Sequence, residues 1–474
     1  MEKDEIINFS IQETLRRINL IHSNQQCTDL SNVNPYKYIK SITVNSTLEI
    51  NNILDYYKFL KNMFIYVRDY LINIVLPKIK VAIEGGNYLI SPADFKERDK
   101  GYFYIEFPNI DKTRIIVLLN NAISPSITPE LLFPTIAFNV RLNDNIRVSP
   151  RKARSFVIGI LSSDGSSTSY NTLITINTAP ELHALVSALV NAYARSKGFD
   201  ATEFHFNINS ASLTNDGRLN IRFILLFRGS YIGFYFKAKS EALNAWTNKK
   251  HAKELDIDQN FALIGHYSGD GIFTINKRSR ARGVGFSISK DYAETFKNML
   301  VQLGYEVIDR GKSGIFFKHN YARIFTVNTL RYILLLEDPR VIFITLNHPR
   351  IKKLAEMAFT YYNEMFRLKF IYNNYVFSLR HTNHYYIRVY RTRQSQLTDF
   401  MNKINDVASH LGVSLNMYLT NLNGKQPYLN LNIAKNSLIN FISAACFIAQ
   451  PIFEYGDVHT HEDTHDFFDA SLNL

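Results

Sequence analysis

Val157-Ile158-Gly159-Ile160-Leu161-Ser162-Ser163-Asp164-Gly165 and Leu263-Ile264-Gly265-His266-Tyr267-Ser268-Gly269-Asp270-Gly271 are two copies of one pattern. Each reads apolar, apolar, Gly, two larger residues, Ser, small, Asp, Gly, and the aspartates stand 106 positions apart, at 164 and 270. Gly159 and Ser163 are four residues apart, as are Gly265 and Gly269, so on a helix each pair makes one smooth stripe on one face. Smooth stripes let two helix backbones approach closely. A glycine inside a helix costs about 1 kcal/mol against Ala, and close contact compensates for that loss. The closing Asp-Gly reads as a C-terminal stop, with each glycine free to adopt φ > 0. Each helix then carries a carboxylate at its negative end, where the macrodipole disfavours it. Side-by-side packing brings Asp164 and Asp270 together, and oxygen-bound Mg²⁺, or another divalent cation, relieves the repulsion.

These residues resemble the paired signature of LAGLIDADG homing endonucleases, over roughly residues 150–335. The resemblance implies an α+β fold of tandem αββαββα halves, 149–250 and 251–335, joined as a pseudo-dimer through the motif helices. It implies that Asp164 and Asp270, on the family's penultimate acidic position, bind a catalytic metal. Gly159 and Gly265 fall on its internal glycine. The sixth position, normally acidic, is Ser162 or Ser268, which departs from the family.

The 474 residues of the chain suffice for roughly two to four domains. A net charge of +12 favours a polyanionic partner, nucleic acid before an anionic membrane. Only Cys27 and Cys446 occur, which excludes a disulfide framework and suits a reducing compartment. The start carries no signal-peptide pattern, and Ser437 to Phe453, the most apolar run, is short and interrupted by Asn440, Gln450 and Pro451. The expectation is a cytoplasmic, intracellular monomer with internal pseudo-symmetry and no membrane.

Around the motif halves lie a polar segment 1–45, an α/β region 46–148, a C-terminal α/β region 336–453 and an acidic, His-containing tail 454–474. Residues 47–76 read as helix, Tyr102 to Phe107 and Arg114 to Leu119 as strands, and Pro125, Pro129 and Pro134 as a connection. Arg147, Arg151, Lys152 and Arg154 form a basic cluster ahead of the first motif, either a solvated face or a phosphate contact. Thr178 with Glu181, and Asp291 with Glu294, are capping-box patterns opening helices. Tyr321 to Val327 reads as strand and Pro349 to Leu368 as helix. The C-terminal region repeats a ββαββα order without an Asp-Gly motif; convergence is favoured over a degenerate extra half. His459, His461 and His465 in the tail have metal-like spacing, but nothing closes four ligands around them.

The copies differ in one respect. Gly271 precedes Asp291 by 20 positions, whereas Gly165 precedes Thr178 by 13. In the resembling family the ribbon between them lies in the DNA groove. Lys277, Arg278, Arg280 and Arg282 occupy it in the second half, and only Ser and Thr in the first. Arginine can pair bidentately with guanine, so these four are expected to contact nucleic acid. Lys312, Lys318 and Arg323 are candidates for the basic residue that such nucleases place near the metal. The leading expectation is a divalent-metal-dependent endonuclease of double-stranded DNA. The alternatives are a non-cleaving DNA- or RNA-binding regulator or maturase, and a structural protein.

Overall fold

The computed structural model describes residues 3–23, 47–92, 101–119, 127–167, 172–177, 179–214, 217, 219–228, 236, 238–275, 282–311, 314–382, 384–421 and 427–456. The protein is of the α+β class, and its chain divides into two compact units. One comprises Met1–Asp144, Thr168–Ala184 and Ala201–Ser230; the other comprises Asn145–Ser167, Leu185–Asp200 and Tyr231–Leu474. Among the described residues no helix is long and apolar enough to cross a membrane.

The first nine strands are β1 (Thr47–Ile50), β2 (Leu89–Pro92), β3 (Gly101–Glu106), β4 (Arg114–Leu119), β5 (Ile127–Leu142), β6 (Gly165–Ser167), β7 (Thr172–Asn177), β8 (Thr202–Leu213) and β9 (Leu219–Arg228). All but β6 lie in the first unit, in the order β2-β3-β4-β5-β8-β9-β7, with β1 parallel on β5. A helix, Ile53–Tyr70, continues through one π-helical turn, Leu71–Val75, into Leu76–Glu84. Its buried face, Ile53, Tyr56, Tyr57, Leu60, Met63 and Val67, follows the three-and-four spacing of an amphipathic helix. The Asn52 side chain accepts from Leu54 N at its start. Phe59 meets Phe138 edge-on at 5.2 Å, Phe64 lies 5.6 Å from Phe223, and Phe138 lies 4.5 Å from Phe206, so aromatic pairs join helix to sheet.

Two readings of this region need correction. Residues 47–50 are strand, not helix. Pro129 and Pro134 lie within β5 rather than in a connection. Pro129 pairs with Val117, and the register of β5 on β8 shifts between Leu132 and Ile136, around Pro134. A proline lacks the N–H that a regular ladder needs, and a bulge absorbs it.

The second unit holds the helix carrying the first motif, Pro150–Asp164, and the helix carrying the second, Gln259–Asp270. After the second come β10 (Gly271–Ile275), β11 (Arg282–Phe286), helix Lys290–Gln302, β12 (Val307–Asp309), β13 (Ile315–Phe317) and helix His319–Leu334. Their sheet runs β10-β11-β13-β12. The strand order first, second, fourth, third is echoed after the first motif, where β7-β9-β8 stand in the places of β11-β13-β12. It appears again beyond helices Pro339–Asn347 and Pro349–Tyr361. There β14 (Phe366–Tyr372), β15 (Tyr375–His381), β16 (Tyr385–Tyr390), β17 (Met417–Asn421), β18 (Tyr428–Ile433) and β19 (Gln450–Tyr455) order as β17-β18-β16-β15-β14-β19. Helix Gln394–Leu411 joins β16 to β17, and helix Leu438–Ile448 follows β18.

Here too the structure differs locally from the reading. Residues 321–327 are helical, because Ala322, Ile324, Phe325, Val327 and Leu330 bury on helical spacing and stack Phe325 on Phe317 at 4.6 Å. The helix opening at Pro349 stops at Tyr361, and Phe366 begins a strand with alternating burial. The cap of helix Lys290–Gln302 is Ser289, which leaves Asp291 in the first turn.

Candidate site at the paired motif helices

The two motif helices pack backbone against backbone. A Cβ added to Gly159 would fall on the Ala262 carbonyl and 2.9 Å from His266 N. One added to Gly265 would fall on the Phe156 carbonyl and 3.2 Å from Ile160 N. One added to Gly269 would fall on Ser163 Oγ and 2.8 Å from Asp164 Oδ2. Gly159, Ser163, Gly265 and Gly269 therefore form the contact, on the stripes that their spacing sets out. Ser155 of the first helix strengthens the crossing. Its Oγ donates to Arg151 O and accepts from Asp258 N, and Asp258 in turn caps the second helix.

Gly165 and Gly271 are not left-handed caps. Their φ values are −80° and −65°, in extended backbone that starts β6 and β10 directly. A Cβ at either would strike its own helix, the carbonyl of Leu161 or that of Tyr267. The glycines allow a sharp turn from helix into strand, not a positive φ.

Between the helices lies a polar group missed in the sequence. Ser162 Oγ donates to Gly159 O, so it can only accept from Trp246 Nε1 at 3.0 Å and from His266 Nδ1 at 2.8 Å. His266 is therefore the Nδ1–H tautomer. Its Nε2 is buried with no hydrogen-bond partner, and burial pushes the imidazole down to about 3, with Lys239 adding to the effect. The position where the resembling family carries an acid holds a hydroxyl that orients a neutral histidine.

At the ends of the helices the two acids differ. Asp164 is partly buried, with its carboxylate against the Gly269 backbone. Asp270 lies 3.5 Å from Lys239 Nζ, at the start of helix Lys239–Thr247. Burial raises the Asp270 carboxyl above the ordinary range, and Lys239 and Arg350 offset this only in part. Arg350 is fixed nearby by donating from Nη1 to Ser268 O at 2.8 Å. A divalent cation prefers carboxylates that are ionised and unopposed by other cations. The Asp270 environment, which disfavours the charged carboxylate by burial and flanks it with two cations, fits such an ion poorly. Among the described residues no cluster of three or more His, Cys, Asp or Glu could hold a metal.

The other candidates lie elsewhere. Lys318 pairs with Glu306 at 2.5 Å, and Arg323 bonds His319 and lies over the Tyr362 ring. The basic residues placed at Asp270 are Lys239 and Arg350, which no motif marked. Lys277, Arg278, Arg280 and Lys312, and the tail histidines His459, His461 and His465, lie outside the described residues; Arg282 opens β11. Three side chains of the basic cluster before the first motif are engaged by the protein itself. Arg151 pairs with Asp256, Lys152 with Glu337, and Arg154 bonds Leu255 O.

The outer sheet faces differ in charge. In the first unit, Arg222 pairs with Glu130 and Arg141 with Glu49, so positive charge is compensated. On β10-β11-β13-β12 the face is smooth: a Cβ at Gly285 would meet Phe316, whose ring lies 4.7 Å under Arg310. On the C-terminal sheet it is basic and rich in tyrosine. The alternation of Tyr386, Arg388 and Tyr390 was visible in the sequence, but without strand pairing it had no partners to join. Compared with protein-family models and with curated proteins, the sequence matches none.

Proposed function

We propose that the protein binds nucleic acid, double-stranded DNA first, on a tandem LAGLIDADG-like scaffold, and does not depend on metal-assisted cleavage for its function. The helix pair carries this reading. Two glycine-striped helices in backbone contact, each running straight into a strand, are the arrangement that the motif resemblance calls for. The net charge of +12 supports a polyanionic partner. The basic stretch from Lys277 to Arg282 is the proposed main contact, and binding energy is skewed towards the second half.

A second reading, metal-dependent cleavage, is favoured by one observation: Asp164 and Asp270 close matching helices, with the Asp164 carboxylate beside Gly269. Against it stand Lys239 and the raised Asp270 carboxyl. Mobility shift at low salt and strand scission in Mg²⁺, on duplex DNA flanking the encoding gene, separate the two. The expected result is a shifted complex without scission, retained by Asp164→Asn and Asp270→Asn. Mg²⁺-dependent scission abolished by either substitution would install the nuclease reading. Absence of any complex would leave a structural role.

A further inference from the structure

The C-terminal sheet packs one face on helices; on the other face the middle is covered, with Tyr386, Asn430 and Asn432 buried, and the margins are exposed. Phe370, Phe377, Ile387, Leu429 and Leu431 point to helices Gln394–Leu411 and Leu438–Ile448, with Phe377 stacked on Phe400 at 4.7 Å and Phe370 edge-on to Phe441 at 6.0 Å. Alternation sends the intervening residues to the other side. There the register aligns Arg380, Tyr386, Asn432 and Tyr418 in one row, and Arg388, Asn430 and Thr420 in the next, with Tyr390 opposite Tyr428 beyond.

These side chains form a prearranged surface. Arg388 Nε donates to Asn430 Oδ1 at 3.0 Å, and its guanidinium lies 5.1 Å from the Tyr386 ring and 5.8 Å from that of Tyr428. Tyr428 donates to the Tyr390 hydroxyl, their rings 4.7 Å apart. Tyr390 and Tyr418 keep 56% and 55% of their surface in solvent. Arg367 and Arg380 are exposed on the same face, where Lys369 pairs with Glu454 at 2.6 Å. Two half-covered polar groups, Ser378 and Thr420, sit among them.

We infer that the exposed margins of this face, around Tyr390, Tyr418, Arg367 and Arg380, are a binding platform for single-stranded RNA. The exposed rings of Tyr390 and Tyr418 suit unstacked bases, which a duplex keeps inside. Arginines at the margin suit the phosphates. Hydroxyl groups between them can pair with a ribose 2′-OH, which is both donor and acceptor and which DNA lacks. The inference rests on the nucleic-acid reading above but uses a different surface, so the two are separable.

The test is fluorescence anisotropy of the full chain with a short unstructured RNA, the single-stranded DNA of the same sequence, and a duplex DNA. Tyr390→Ala with Tyr418→Ala should weaken RNA binding about 25-fold or more, taking about fivefold or more for each lost stacking contact. Tyr390→Phe with Tyr418→Phe keeps the rings and should retain most of the affinity. Arg367→Gln with Arg380→Gln should lower the salt slope by about 0.7 for each lost phosphate contact. Duplex binding should be unchanged in all three. RNA affinity unmoved by the alanine pair, or wild-type protein that binds duplex but no single strand, would overturn the inference. Single-stranded DNA bound as tightly as RNA would overturn the assignment to RNA. RNA binding that depends on the tyrosines in a protein that ignores duplex would support the platform and contradict the reading at the motif helices.

Discussion

Gly159 and Gly265 are each held by the carbonyl of the facing helix, so a methyl group at either has no space. Gly159→Ala and Gly265→Ala should each destabilise by roughly 1–3 kcal/mol or more, against the gain of up to about 1 kcal/mol that Ala brings to an unconstrained helix. Denaturant unfolding measures this. Trp246, the one tryptophan, is fully buried with its Nε1 on Ser162, so its fluorescence reports on the pair directly. Midpoints unchanged or raised in both variants would mean that the helices are not in backbone contact. Asp270 gives an effect of opposite sign. Its carboxyl is raised in the folded protein, so the charged form is disfavoured there relative to the unfolded chain. Asp270→Asn should therefore raise stability at pH 7, and the difference should fade as pH falls through the acidic range. A lower midpoint at pH 7 would show that Asp270 is stabilised by Lys239 more than it is penalised by burial.

At the scale of elements, the sequence carried the helix pair because small residues four apart leave a trace that no other arrangement explains as simply. The Asp-Gly ends misled, since a glycine required by close approach reads the same as one required by a positive φ. Residues 321–327 misled for a related reason. Their aromatic and β-branched residues favour strand locally, yet burial on two sides of a helix decides. The strand pairing of the C-terminal sheet was illegible because register depends on partners far along the chain. The outer face of β17-β18-β16-β15 could not be assembled from alternation alone. Ser155 is a further test at this scale. It bonds both Arg151 O and Asp258 N, so Ser155→Ala leaves a donor at the second helix's cap without that acceptor. A loss of about 1–3 kcal/mol is expected, and no loss would remove Ser155 from the crossing.

For the whole molecule, two buried histidines set an acid limit. Burial depresses His266 and His348 to about 3, in each case with a nearby cation adding to it. Between pH 6.5 and that value the unfolded chain binds the proton that the folded chain refuses. Stability from these groups is thus complete above about pH 6.5 and declines as pH falls, by about 1.4 kcal/mol per pH unit for each histidine. Urea midpoints from pH 7.5 to 4.5 should show the decline, and His266→Gln with His348→Gln should flatten it. An unchanged slope in the double variant would place the acid sensitivity elsewhere.

Charge is the other property of the whole molecule, and it bears most directly on function. Where the structure describes basic residues near the motif helices, most are matched by acids or carbonyls, which leaves Lys277 to Arg282 as the proposed duplex contact. The decisive measurement is the duplex-DNA binding constant as a function of salt, for wild type and for a variant with Arg278, Arg280 and Arg282 changed to Gln. Wild-type binding should fall linearly on a log–log scale, and the variant should bind more weakly with a slope reduced by about 0.9 for each lost phosphate contact. Duplex binding of equal strength and equal slope in the two proteins, or no salt-dependent binding in the wild type, would contradict the duplex contact.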